Sequence, residues 1–135
     1  MRLKRLLVVP LVFLFACKPP TPAEQLDSAL SWVATARMAA DAWLQHTTPD
    51  KYTRQTLEVS QQTLLKLGTD LLKAPVPGVD TASLASVLTR SRGHIGQMAA
   101  LVAAKNSTGF RQQLDSLIAD ETLVKQFADS AESKQ

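Results

Sequence analysis

Apolar residues recur every three or four positions over most of the chain, the spacing that places side chains on one face of a helix. Proline, glycine and short polar stretches divide this pattern into four segments. Strict alternation of apolar and polar residues, which marks a half-buried strand, is not found. The pattern therefore predicts four amphipathic helices, over residues 22–46, 49–73, 81–105 and 108–131.

Small polar residues stand where each predicted helix would begin. They are the residue types that accept a hydrogen bond from a free backbone N–H at a helix start. In the first two helices a proline follows, which suits the first helical position. The predicted caps are Thr21, Thr48, Asp80 and either Ser107 or Thr108.

Short connections between four amphipathic helices favour an all-α fold, an up-and-down four-helix bundle. The alternative is a three-helix core with a swapped or open fourth helix. Thr53 and Ser60 fall on the apolar stripe of helix two and Ser91 on that of helix three, and we expect the two serines to bond to the preceding turn. Gly68 lies on the helix-two stripe as well, where our interpretation is that it allows a close approach of another helix.

The first 16 residues differ from the rest of the chain. Three basic residues, Arg2, Lys4 and Arg5, precede a short apolar run from Leu6 to Ala16. A basic start, an apolar middle and a small residue at the end describe a secretory signal peptide. The run is too short to cross a bilayer, which needs about 20 apolar residues. The alternative is a short hydrophobic first helix in a cytosolic protein.

The end of this run resembles the lipobox of bacterial lipoproteins. Leu14, Ala16 and Cys17 match that motif, and Phe15 is bulkier than the residue usual at its place. The resemblance implies cleavage just before Cys17, which then carries a diacyl group and an amide-linked acyl chain. More than one acyl chain makes membrane anchoring stable. The resemblance implies location and anchoring, and no particular activity.

On this interpretation the chain has three parts: a cleaved signal peptide (1–16), a lipidated cysteine with a proline-rich tether (17–21) and a helical domain (22–135). Prolines keep the tether short and stiff, so the domain is expected close to the membrane. Lys18 stands where an aspartate retains enteric lipoproteins in the inner membrane. By analogy we expect the outer membrane, with the domain facing the periplasm.

Processing would change the charge of the protein. The chain has 15 lysines and arginines against 12 aspartates and glutamates. Three of the basic residues belong to the predicted signal peptide, so 12 of each sign remain. A net charge near zero removes the electrostatic case for nucleic-acid binding, which needs a clustered basic face.

The residue types that carry catalysis or bind metals are few and dispersed. Cys17 is the only cysteine, so the chain has neither an internal disulfide nor a covalent haem motif. His46 and His94 fall at different heights of the predicted bundle, and Met38 and Met98 offer them no suitable arrangement for haem. The carboxylates are predicted on polar faces, and no hydrolase or phosphate-loop motif is found. We therefore expect no enzyme activity, no metal and no cofactor.

The predicted bundle groups three aromatic residues at the end farthest from the anchor, which we call the distal end. Trp43 closes helix one, while Tyr52 and Phe110 lie in the first turns of helices two and four. An aromatic, partly polar end could form a partner surface or a small pocket. The alternative is that these aromatics only close the end of the core.

These features predict a non-catalytic lipoprotein of the bacterial envelope that has a protein partner. Pilotins, small helical lipoproteins that escort secretion-channel subunits to the outer membrane, are similar in size, anchor and helix content. That similarity is architectural, and fold does not determine function. The competing class is a carrier or sensor that binds a small apolar ligand between its helices.

Overall fold

The computed structural model describes residues 18–133 and contains four helices in up-and-down order. They are α1 (Pro22–Leu44), α2 (Asp50–Lys73), α3 (Thr81–Ala103) and α4 (Ser107–Ser133). Over the described range there is no strand. The predicted signal peptide, the lipobox and Cys17 lie outside the described residues.

Each helix packs against its neighbour in the chain, and α4 closes the bundle against α1. The diagonal pair α1 and α3 make slight contact across the centre. This arrangement confirms the four-helix bundle and excludes an open fourth helix, because α4 packs against both α1 and α3. None of these helices combines the length and the apolar character that crossing a bilayer requires.

Two helices, α1 and α3, each end two residues earlier than predicted, because the chain turns sharply through a left-handed residue. His46 follows α1 with φ of 59°, and Lys105 follows α3 with φ of 55°. At each end two backbone hydrogen bonds close the last turn, such as the 2.9 Å bond from Thr47 N to the carbonyl oxygen of Ala42. This is the Schellman arrangement, in which glycine is the usual left-handed residue.

The predicted caps of α1 and α3 are confirmed. Thr21 Oγ1 accepts a hydrogen bond from Glu24 N at 3.2 Å. One carboxylate oxygen of Asp80 accepts from Ala82 N at 3.1 Å and from Ser83 N at 3.3 Å.

The predicted cap of α2 is wrong. Pro49 occupies the cap position and has no side-chain donor or acceptor to offer. The hydroxyl of Thr48 instead bonds to the hydroxyl of Thr53 at 3.1 Å. Thr53 is buried, and a buried hydroxyl group needs a hydrogen-bond partner. Thr48, beside the start of the helix, is one such partner for the hydroxyl of Thr53.

The predicted cap of α4 is wrong by one residue or two. Asn106 Oδ1 accepts a hydrogen bond from Gly109 N at 3.0 Å, so asparagine caps the helix. Ser107 is already the first helical residue and Thr108 the second. Asparagine ranks with serine and aspartate as a cap, and the two hydroxyl residues that follow it hid the correct boundary.

The core runs the length of the bundle and is formed by the predicted apolar stripes, with leucine, alanine and valine dominating. Ser60 and Ser91 are buried on these stripes, and each donates a 2.8 Å hydrogen bond to a carbonyl of the preceding turn. The expectation for both serines is therefore confirmed.

The interpretation of Gly68 is wrong. A Cβ atom added there would meet no atom of another residue within 4 Å, so no helix approaches it closely. Gly68 instead borders a hollow of about 160 Å³ on the outside of the bundle between α2 and α3. The close approach occurs at Gly96, where an added Cβ would lie 2.6 Å from Nε2 of Gln61.

Candidate functional site

Two of the three predicted aromatic residues meet at the distal end. The rings of Trp43 and Phe110 have centroids 4.5 Å apart and are tilted by 51°. Phe110 is completely buried, and Trp43 Nε1 donates a 2.8 Å hydrogen bond to Asp50. Since this pair packs against the core, its position is that of a core closure with one polar tip at the surface.

Tyr52 does not join this pair. Its side chain is 58% exposed and lies on the outside of the bundle, where α1 and α2 run side by side. The prediction placed Tyr52 at the correct height, but the sequence does not say which helix lies on that flank of α2.

The surface on which Tyr52 lies is a shallow groove, which we call the α1–α2 strip. It consists of two adjoining hollows of about 300 and 270 Å³ that share Thr35, Tyr52 and Thr56. Met38 and Val59 are exposed there by 61% and 49%. The full lining is Trp32, Thr35, Met38, Ala39, Ala42, Thr48, Tyr52, Gln55, Thr56 and Val59.

No residue lining the α1–α2 strip carries a charge. Two charged residues of α1 form ion pairs on the opposite flank of that helix. There Arg37 bonds to Glu121 of α4 and lies 3.6 Å from Asp41 on its own helix. The hydrogen bond that Arg37 donates to Glu121 raises the pKa of Arg37 above its usual value. Arg37 and Asp41 thus lie on the flank of α1 toward α4, whereas Met38 lies in the strip, toward α2.

The opposite side of the bundle contains a buried carboxylate, which sequence reasoning missed. Asp120 of α4 is only 3% exposed, which corrects the prediction that the carboxylates lie on polar faces. Its Oδ1 atom accepts hydrogen bonds from Nε and Nη2 of Arg90, at 2.9 and 2.7 Å. This bond raises the pKa of Arg90 above its usual value. We call Asp120 and its partners on α3 the α3–α4 seam.

Two further α3 residues complete the seam. Ser91 Oγ lies 3.3 Å from Oδ2 of Asp120, and His94 Nε2 lies 3.7 Å from the same oxygen. The other ring nitrogen of His94 is 2.7 Å from Oε1 of Gln113. His94 thus lies at the boundary of the core, hydrogen-bonded and partly exposed.

The geometry of the seam is that of a neutralised charge. A serine nucleophile needs a base that takes its proton, and the base in turn needs an orienting group. The hydroxyl of Ser91 bonds to the Val87 carbonyl and to Asp120, while His94 faces Asp120 and Gln113. The carboxylate thus lies between serine and histidine, which is not the order of a catalytic triad.

A sequence signal for Asp120 exists, although its partners could not be read from it. Asp120 falls three residues after Leu117 and four before Val124, both of which are in the core. The helical period therefore places the carboxylate on the buried face. To predict that Arg90 is its partner, one would need to know the relative height of α3 and α4. Periodicity within one helix does not give that height.

No group of residues suited to hold a metal ion is found between residues 18 and 133. His46 lies at the distal end, whereas His94 belongs to the seam at mid-height. Met98 is buried in the core, while Met38 lies in the α1–α2 strip.

Comparisons of the chain with protein families, with curated proteins and with solved structures gave no match.

Proposed function

We propose that this protein is a non-catalytic interaction module of the bacterial cell envelope that holds an amphipathic helix of a partner protein in the α1–α2 strip. The observation that carries the proposal is an exposed apolar groove between two helices with no charge in its lining. The predicted lipid on Cys17 would anchor the module, on this proposal at the periplasmic face of the outer membrane.

The composition of the strip supports a protein partner. Buried centres of protein interfaces are depleted in charged residues and enriched in aromatic residues and methionine. Trp32, Met38 and Tyr52 supply these types, and threonines fill the spaces between them. Tyrosine and tryptophan are also the side chains that most often carry binding energy in interfaces.

The dimensions of the strip favour a single helix as its occupant. From Trp32 to Ala42 the groove extends along α1 for about 16 Å, which is three helical turns. Its width is one helix spacing, about 10 Å. A helix laid into it would present apolar residues three, four and seven positions apart.

The shape of the groove also favours a protein over a small apolar ligand. A carrier site encloses most of the surface of its ligand. Tyr52, Met38 and Val59 are half or more exposed, so a small molecule in the strip would remain largely in contact with water. A helix, by contrast, covers such side chains along its whole apolar face.

The predicted anchor gives the strip an orientation. The tether of residues 17–21 leads directly into α1, so the distal end would point away from the membrane. The strip lies on the distal half of α1, within reach of a partner in the periplasm. Pilotins resemble this arrangement in size and helix content, and the resemblance supports an assembly role by analogy alone.

The anchor is tested by intact mass and membrane fractionation of the native protein beside a Cys17→Ser variant. We expect loss of residues 1–16, an acylated Cys17, and release of the variant from the membrane. A soluble, unprocessed chain would contradict the envelope location and leave the strip to be tested separately.

The strip is tested by placing a photo-cross-linking amino acid at Val59 and, as a matched control, at Leu123, an exposed apolar residue of α4. We expect position 59 alone to cross-link to one protein. The segment of that protein that carries the cross-link should be amphipathic, and as a peptide it should be helical when it is added to the pure protein. Cross-links to a second copy, or to lipid, or equally from both positions, would contradict the proposal.

A further inference from the structure

A cavity of about 360 Å³ opens at the distal end of the bundle. It lies where α1 and α3 end and where α2 and α4 begin. Its lining residues are Trp43, Leu44, His46, Asp50, Lys105, Ser107 and Arg111. This cavity shares no lining residue with the α1–α2 strip, although the sequence grouped Trp43 with Tyr52.

Three of these lining residues are basic, namely His46, Lys105 and Arg111. Within residues 18–133 none of the three makes a salt bridge. Asp50 is the single acidic residue of the lining, and it already accepts the hydrogen bond of Trp43 Nε1. The cavity lining therefore has an excess of positive charge, whereas the helical domain of residues 22–135 as a whole has 11 lysines and arginines against 12 aspartates and glutamates.

The backbone at this cavity is held in an unusual conformation. His46 and Lys105 are the two non-glycine residues of the described chain with positive φ, and both line the cavity. Glycine would adopt this conformation with less strain. The two residues close α1 and α3, so the turns that end these helices also form part of the cavity wall.

Helix dipoles explain part of this charge but not all of it. A cation is stabilised at the end of a helix, which accounts for His46 after α1 and Lys105 after α3. Arg111 is different, because it lies one turn into α4, near the positive end of that dipole. Its presence beside two other basic residues points to a negative ligand.

We propose that the distal cavity binds a small organic anion that has an apolar body and a carboxylate or phosphate group. Lys105 and Arg111 would bind the anionic group, with the Ser107 hydroxyl as a further donor. Trp43 and Leu44 form the apolar wall against which the body would pack. The volume lies near the lower limit of small-molecule sites, which limits the ligand to about one ring.

The chain offers a specific optical probe for this site. It has two tryptophans, Trp32 in the strip and Trp43 in the cavity. In a Trp32→Phe variant of the full chain, tryptophan fluorescence reports on Trp43 alone. Phenyl phosphate, benzoate, inorganic phosphate and benzyl alcohol are then titrated separately, with calorimetry as a second readout.

We expect saturable binding of phenyl phosphate or benzoate, and the tighter of the two identifies the preferred anionic group. Inorganic phosphate lacks the ring and benzyl alcohol lacks the charge. Each should therefore bind about tenfold more weakly than the aromatic anions, or not detectably. Lys105→Gly keeps the left-handed turn and Arg111→Gln keeps the helix. Each should weaken binding about tenfold, whereas Lys125→Gln, an exposed change elsewhere on α4, should leave binding unchanged.

Three results would overturn the proposal. The first is no saturation by either aromatic anion up to about 10 mM. The second is equal binding of benzyl alcohol and benzoate, which would show that charge does not select the ligand. The third is binding that Lys105→Gly and Arg111→Gln leave unchanged, with circular dichroism confirming that both variants are folded.

Discussion

The two sides of this bundle treat polar and apolar groups in opposite ways. On the α3–α4 seam a carboxylate is buried, and arginine, serine and histidine surround it. On the α1–α2 strip, apolar side chains are exposed and no charge lies among them. Burying a polar side chain and exposing an apolar one both cost free energy. In the seam, hydrogen bonds within the chain offset this cost, whereas the exposed side chains of the strip stay uncovered within residues 18–133.

This difference separates internal stability from interaction. In the described part of the chain every buried side-chain nitrogen or oxygen has a hydrogen-bond partner. The seam is therefore complete, and a partner protein would add nothing to it. Tyr52 and Met38 on the strip are left for another molecule to cover. Mutations on the two sides should accordingly change different measured quantities.

The largest effect is expected from Arg90→Met in the seam. The change leaves the buried carboxylate of Asp120 without its main partner. Since Arg90 itself is half exposed, the expected loss in the free energy of unfolding is that of a buried charged acceptor left without its donor, about 2–3 kcal/mol. Urea unfolding measures this loss. Arg92→Met, two residues away and directed into the outer groove between α2 and α3, is the matched control and should stay within about 0.5 kcal/mol.

The double variant Arg90→Met, Asp120→Leu sharpens this test. It removes both charges, so most of the stability lost in Arg90→Met should return. If the single and double variants are equally unstable, packing rather than charge explains the seam.

An intermediate effect is expected from Tyr52→Ser and Met38→Ser on the strip. Affinity for the partner helix should fall by about 1–2 kcal/mol for each, as at interface hot spots. The free energy of unfolding should change by no more than about 0.5 kcal/mol, because both side chains are exposed. Titration of the cross-linked partner segment measures the affinity. Equal losses of stability and affinity would show that the strip belongs to the fold rather than to an interface.

A smaller effect is expected from Gly68→Ala on the flank of α2 that faces α3. The added methyl group meets nothing within 4 Å, and alanine is the better helix former by about 1 kcal/mol. The melting temperature should therefore rise while partner affinity stays constant. Gly96→Ala is the matched control, because its methyl group would collide with the side chain of Gln61 and the gain should shrink or reverse.

The smallest effect is expected from low pH at the N-terminal cap of α3, which belongs to neither the seam nor the strip. Hydrogen bonds from Ser83 and Ala82 hold the pKa of Asp80 below its usual value of 3.8. A lowered folded-state pKa contributes stability above that usual value, and the contribution is lost as the pH falls through the folded-state value. The difference in unfolding free energy between the wild type and Asp80→Asn should thus be constant near neutral pH and shrink in strong acid. A difference that grows in acid would contradict the cap.

Helical periodicity was enough to predict the fold but not the two surfaces. The apolar stripes gave the helices, and their short connections gave the up-and-down order. Periodicity fixes the height of a residue and its angle to the core of its own helix, yet it does not say which neighbour lies on each flank. For that reason Tyr52 was grouped with Trp43, although it lies on the outer face of α2.

The buried carboxylate was missed for a related reason. Asp120 is followed by Glu121, and the two acids together resemble a solvent-exposed turn of helix. The packing of α4 between α1 and α3 gives the two acids different partners. Glu121 pairs with Arg37 of α1, and Asp120 pairs with Arg90 of α3. Such pairings depend on three-dimensional register, which a single sequence does not contain.

The most direct test of the proposed interaction uses the two methionines of the described chain as internal probes. Met38 lies exposed in the strip, and Met98 is buried in the core. The methyl NMR signals of both are recorded while the cross-linked partner segment is added. We predict that the Met38 signal shifts to a saturating value while that of Met98 stays in place. An unmoved Met38 at saturation, or equal shifts of both signals, would contradict the assignment of the α1–α2 strip as the docking surface.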